Sequence, residues 1–242
     1  CALPIWKFIN GVNYWEENRQ TGASDGETTW KNVKIRTADN GEAEISLNLL
    51  YSPQGGDPVL VERRELHVSA LDGGASYTID WTSTFTALDQ DVTFDRTPLP
   101  GEAGGKAWGG YAGLSLRFAL DMQERQATSA AGPVEFNEQN RHRGKARAMD
   151  YSGRFGANVA GVAMIDHPDN LNAPSPWYVI RSDVMSFFTP AVICYGPHTL
   201  AAKESLTLRY RVCVHPGRWD AERLQEEERR FVRESKQREQ EN

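Results

Sequence analysis

From Tyr77 to Thr86 the chain alternates strictly: Tyr77, Ile79, Trp81, Ser83 and Phe85 step past Thr78, Asp80, Thr82, Thr84 and Thr86. A period of two sends successive side chains to opposite faces of a pleat, so this run can bury one face only as a β-strand. Turn signals frame it. Asp72-Gly73-Gly74 separates it from a strand pattern over Val59–Ser69, and Ala38–Glu42, with Asn40-Gly41 at its centre, separates Trp30–Arg36 from Ala43–Tyr51. Glycine and asparagine tolerate the positive φ angles that tight turns demand, so both joints read as hairpins.

Similar patterns recur at Leu114–Leu120, Ala146–Tyr151, Ala157–Ile165, Trp177–Arg181, Phe187–Cys194 and Ser205–His215. The polar, aperiodic stretch from Met122 to Arg143 reads as a long excursion over the surface. Asp220 fits a helix N-cap, and Ala221 to about Gln240 carries a thin apolar stripe at Leu224, Phe231 and Val232. The chain is therefore expected to be all-β, an antiparallel β-sandwich with a C-terminal α-helix. Its 242 residues suit one large β domain, 1–218, followed by a charged helix, 219–242.

A formal charge of −6 lacks the basic surface that phosphate contacts need, which argues against nucleic acid as a partner. No run approaches the roughly 18 apolar residues of a membrane span. Three cysteines do not make a disulfide framework, and Cys194 and Cys213, in separate strand patterns, read as buried free thiols. The sequence opens at Cys1 without a methionine, and the domain is expected to be incomplete at its N-terminus. A leader peptide lost with that segment would make the protein periplasmic or secreted; the compartment itself is not written in the sequence.

Chemistry-bearing residues gather in two places. The apolar run Val159–Ile165 stops at Asp166-His167-Pro168-Asp169-Asn170, where Pro168 favours a turn. Histidine titrates near neutrality, so His167 is a candidate general acid or base at the rim of a concave pocket, with Asp166 or Asp150 to orient it. His198 and His215, each beside a proline, invite the same reading more weakly. Gly104–Gly113 is glycine-dense and carries Trp108 and Tyr111, but lacks the GxxxxGK[ST] phosphate loop. Its glycines suit close backbone approach, and Trp108, Tyr111 and Trp177 are candidate platforms for a sugar ring. Arg117, Arg147 and His198 are candidates to hold its hydroxyl or carboxylate groups. Asp80 fits either a solvated sheet face or a polar ligand surface. Five histidines without HxH or HxxxH spacing predict no metal centre, and no cofactor is expected.

Six segments occur in order: WKFINGVNYWEE (Trp6–Glu17), IDWTSTFTAL (Ile79–Leu88), GGYAGLSLRF (Gly109–Phe118), ARAMDYSG (Ala146–Gly153), AGVAMIDHPDN (Ala160–Asn170) and LTLRYRVCVHPG (Leu206–Gly217). Together they resemble a family of soluble bacterial proteins of unknown function labelled PmoA-like, or methane oxygenase PmoA. The resemblance covers the chain to about Arg230. Members of that family begin with further β structure and a His-His-Arg-Gly-like segment, where this chain has Cys1–Ile5. The integral membrane subunit that shares the label has no counterpart here, since this sequence carries no membrane span. The resemblance implies a sandwich similar to galactose mutarotase and a carbohydrate ligand on a concave sheet face. Three functions follow as expectations: a carbohydrate-active epimerase, lyase or hydrolase; a noncatalytic carbohydrate-binding module; and a metal-dependent oxygenase, as the label suggests.

Overall fold

Alternation and turn chemistry build strands where the sequence places them, in a computed structural model that describes residues 2–3 and 6–241. Cys1 lies outside the described residues. Three short strands, β1 (Ala2–Leu3), β2 (Phe8–Ile9) and β3 (Val12–Asn13), precede four long ones: β4 (Gly26–Thr37), β5 (Ala43–Pro53), β6 (Leu60–Val68) and β7 (Tyr77–Ala87). Then come β8 (Val92–Asp95), β9 (Ser115–Arg117), β10 (Gln123–Ser129), β11 (Gly132–Pro133) and β12 (Arg141–Lys145). The remainder is β13 (Ala148–Phe155), β14 (Asn158–Asp166), β15 (Pro176–Ser182), β16 (Met185–Pro190), β17 (His198–Leu200), β18 (Ser205–Pro216) and the helix α1 (Ala221–Glu241). The fold is mostly antiparallel sheet with one C-terminal helix, as the alternation predicts. No helix among the described residues is long and apolar enough to cross a membrane.

Met122–Arg143 departs from the expected surface excursion, because it contributes β10, β11 and the start of β12. These strands lie at or next to sheet edges, where polar runs such as Gln123–Ser129 form ladders without an alternating apolar face. The two hairpins also differ in how they turn. Gly41 takes φ +91° as expected, but in the second turn the positive φ falls on Ala75 rather than on Gly73 or Gly74. There Asp72 Oδ1 accepts the N–H groups of Gly74 at 2.9 Å and Ser76 at 2.7 Å. A carboxylate thus fixes the turn that glycine was expected to supply.

Three sheets are ordered β11-β10-β13-β14-β18-β7-β6-β5-β4, β1-β9-β16-β15-β12 and β17-β8-β2-β3. The inner faces of the nine-stranded and five-stranded sheets enclose the main core, which includes Trp6, Tyr51, Phe85, Tyr151, Trp177, Phe188 and Tyr210. Trp6 stacks on Phe94 at 4.2 Å between ring centroids and meets Phe85 edge-on at 5.2 Å. Glu62 is buried in this core because its charge is fully bonded: Arg64 Nε donates at 2.7 Å, Ser83 Oγ at 2.6 Å and Tyr51 Oη at 2.5 Å. The two remaining cysteines, Cys194 and Cys213, are free and buried, as expected.

Edge strand β4 contains a bulge. Lys31 pairs with Asn48 and Lys34 with Ser46, so Asn32 and Val33 together oppose Leu47, and Asn32 sits at φ +57°. In an unbulged strand Trp30 and Ile35, five apart, would point to opposite faces. The bulge puts both on the side of Leu49 and Ile45, their respective partners.

The outer face of the nine-stranded sheet is covered by α1. Asp220 caps the helix, its Oδ1 accepting the N–H of Arg223 at 2.9 Å. Leu224, Glu227, Phe231 and Ser235, spaced by three or four residues, form the buried seam, while Val232 is only half-buried. Asp80 faces this seam and also lines a polar groove of about 580 Å³ beside the helix, with Arg209, Phe231 and Arg238. It pairs across the ladder with Arg211, which is 2% exposed. Arg211 donates to both Asp80 oxygens, at 2.6 and 2.7 Å, to Glu227 at 3.0 Å and to Glu234 at 2.6 Å. Arg238 closes the network on Asp80.

Candidate functional site

The outer face of the five-stranded sheet is built by register. Arg141 of β12 lies opposite Ile180 of β15, Ile180 opposite Phe187 of β16, and Phe187 opposite Arg117 of β9. One transverse row therefore runs cation, apolar, apolar, cation. The neighbouring row sets Arg143 opposite Tyr178, with the guanidinium 4.3 Å from the ring centroid.

The glycine-dense loop ahead of β9 folds down onto this floor. A Cβ at Gly109 would stand 1.8 Å from the carbonyl oxygen of Pro98, and one at Gly113 1.8 Å from that of Pro190. Only glycine allows such an approach, as expected of this stretch. Arg143 Nη2 clamps the loop by donating to the carbonyls of Ala107 at 3.0 Å and Gly109 at 2.8 Å. Trp108 and Tyr111 thereby join Tyr14, Trp15 and Glu16, just after β3, in walling a cleft over this floor. The cleft is about 570 Å³, within the range of small-molecule sites.

Its walls are aromatic and its polar groups are mostly donors. Trp15 and Tyr111 stack at 5.1 Å with 27° between ring planes, and Trp108 is 49% exposed. Behind them the buried Lys7 Nζ donates to Glu16 Oε1 at 2.6 Å, Tyr111 Oη at 2.8 Å and Thr97 Oγ1 at 3.0 Å. The hydrogen bond from Lys7 holds the Glu16 carboxyl below the usual range, so the pair is an ion pair at neutral pH. Burial pushes the Tyr178 hydroxyl up, against the opposing pull of the Arg141 and Arg143 charges. The buried Nε1 of Trp15 and Nε of Arg141 have no hydrogen-bond partner among the described residues.

Trp108, Tyr111 and Arg117, all singled out from sequence, line this cleft. The other candidates lie elsewhere. Trp177 is fully buried in the main core, its Nε1 donating to the Ala146 carbonyl at 2.7 Å, so its ring offers no open face. His198 is half-buried on the edge strand β17, where burial lowers its pKa. Arg147 approaches Glu228 of α1 at 3.5 Å, on the far side of the sandwich.

His167 was expected at a pocket rim but is 2% exposed, its ring meeting Phe231 of α1 edge-on at 5.4 Å. Asp166 is bonded within its own turn and loop. Its oxygens accept Asn170 Nδ2 and the Ser175 N–H, each at 2.8 Å, which makes the turn a buried joint. Asp150 is bonded to another histidine, His215, whose Nε2 lies 2.8 Å from Asp150 Oδ1 and whose ring stacks on Trp219 at 4.2 Å. Gly161 makes room for this pair, since a Cβ there would stand 2.8 Å from the His215 ring. Among the described residues no three His, Cys, Asp or Glu side chains form a metal-holding group.

Sequence reasoning missed Arg141, Tyr178, Trp15 and Glu16. Arg141 and Arg143 did carry a signal, because two arginines two residues apart share a face if the segment is a strand.

The model of a family of unknown function (DUF6807) matches residues 5–228. No curated protein matches the chain. Among the solved structures it is similar to the galactosidase domain of alpha-galactosidase-sucrose kinase, AgaSK, with 9% identity and a TM-score of 0.43 over 82% of this chain. That alignment covers 29% of the solved chain, and a likeness this distant carries no argument about activity.

Proposed function

Since this chain belongs to DUF6807, a family of unknown function, its role has to be read from its own cleft, and we propose that the cleft binds a sugar or glycoside. The observation that carries this is the gathering of Trp15, Trp108, Tyr111 and Tyr178 with Arg117 and Arg141 around one opening of about 570 Å³. Flat aromatic faces match the apolar faces of a pyranose ring, and the polar tips of the same side chains remain to bond its hydroxyls. Binding without chemistry is favoured over a reaction run by His167. That histidine, Asp166 and Asp150 are buried, and His167 packs against α1, on the other side of both sheets from the cleft. The six segments from Trp6 to Gly217 all fall within the matched span, and the carbohydrate reading rests on the cleft.

A panel of methyl glycosides and free sugars titrated against tryptophan fluorescence tests the proposal. At least one sugar should saturate the signal. Trp108→Ala should weaken it by about 2 kcal/mol, roughly 30-fold, as truncating a stacking anchor does. The melting temperature should barely move, because the side chain is half exposed. A panel with no saturable response, or a Trp108→Ala protein that binds as tightly as its parent, would refute the reading.

A further inference from the structure

We infer that the sugar held in this cleft is an acidic one, a uronic acid or its glycoside, whose carboxylate is taken by Arg141. The inference rests on the sugar-binding reading and adds the class of sugar. It starts from hydrogen-bond accounting. An indole N–H and a guanidinium N–H can only donate. The buried Trp15 Nε1 and Arg141 Nε therefore cannot satisfy each other, and neither has a hydrogen-bond partner among the described residues; the Tyr178 hydroxyl of the same cleft is likewise unbonded. Leaving buried donors unpaired is costly, so a ligand that suits this cleft brings acceptor oxygens.

Charge points the same way. Among the described residues lining the cleft, Arg117 and Arg141 are cations and Glu16 is the carboxylate. The Glu16 charge is already matched by Lys7 at 2.6 Å. Arg141, whose Nη1 donates to the neutral Gln139 at 3.2 Å, thus stands as a cation of the cleft in a chain whose formal charge is −6. A carboxylate presents two coplanar oxygens that fit the guanidinium fork, which a hydroxyl does not. The rest of the site is suited to the ring. Ile180 and Phe187 lie between Arg141 and Arg117 in the transverse row, and three inter-strand steps separate the two arginine backbones by roughly 14 Å. A ring lying over the apolar middle of that row, against the Trp15–Tyr111 wall, places a C6 carboxylate beside the Arg141 end.

The test compares matched pairs by calorimetry on the full chain: glucuronate with glucose, galacturonate with galactose, their methyl glycosides, and acetate as a carboxylate without a ring. The acidic member of at least one pair should bind about tenfold to a hundredfold more tightly than its neutral parent, the worth of a charge-assisted hydrogen bond. Arg141→Met should abolish that preference. Arg141→Lys, which keeps the charge and loses the fork, should retain part of it and guards against a folding defect in the first variant. Neutral sugars binding as tightly as acidic ones would overturn the inference while leaving the sugar reading intact. Acetate binding as tightly as the uronates would overturn it too, by showing an anion site with no use for the ring. If no sugar of either kind bound, the sugar reading would fall and the inference with it.

Discussion

Replacing Arg211 with alanine is expected to lower the unfolding free energy by about 3–5 kcal/mol, and hence the melting temperature by roughly 6–20 °C. The guanidinium lies between the nine-stranded sheet and α1, 2% exposed, with Asp80, Glu227 and Glu234 as its partners. Removing it leaves Asp80 and Glu227, themselves 8% and 2% exposed, without their main counter-charge in a site that water reaches poorly. Arg238 still faces Asp80 and Arg223 approaches Glu227 at 3.9 Å, which sets the loss below the full desolvation cost of two charges. Urea unfolding of parent and variant measures the difference. A loss under about 1 kcal/mol would mean that α1 repacks or hydrates the pocket, and that the network does not anchor the helix.

The second large effect is a pH dependence that belongs to Asp166. Burial pushes its carboxyl up from 3.8 to about 6, although Asn170 and Ser175 donate to it and Arg147 opposes the shift. The folded state therefore holds a proton between about pH 4 and pH 6 that the unfolded chain has released. Stability from this group is full at pH 4 and falls as pH rises towards and past 6, by about 3 kcal/mol in all. Asp166→Asn removes the titration. It also replaces one acceptor oxygen with an N–H donor, so the variant should start less stable at acid pH and lose less between pH 4 and pH 7. Parallel slopes for the two proteins over that interval would show that Asp166 titrates normally.

Much of the fold was legible because alternation is a local signal. Tyr77–Thr86 could bury one face only as a strand, and the spacing of Leu224 and Phe231 behind Asp220 marked a capped helix. Polar edge strands such as β10 gave no such signal, since a ladder at an edge needs no apolar face. At the site the glycine-dense loop carries Trp108 and Tyr111, both of which line the cleft. Trp177 was misplaced by one step of the pleat: β15 is apolar on both faces, so nothing in Trp177-Tyr178-Val179-Ile180 fixes which parity turns inward. Here Trp177 and Val179 enter the core, and Tyr178 and Ile180 face the cleft. His167 was misread for a different reason. A turn closed by Pro168 usually meets water, but α1, more than fifty residues further along, lies over this one.

The bulge in β4 also governs how the end of the nine-stranded sheet meets other chains. An open edge offers a row of unpaired N–H and C=O groups on which a foreign strand can grow, and β4 adds Trp30 and Ile35, 68% and 64% exposed. The left-handed turn at Asn32 interrupts that row between Gly26–Lys31 and Lys34–Thr37, so a flat partner cannot pair along its whole length. Lys31, Lys34 and Arg36 along the same strand repel a second copy laid beside it. The residue that brings Trp30 and Ile35 to one side thus also guards the edge against fibrillar growth.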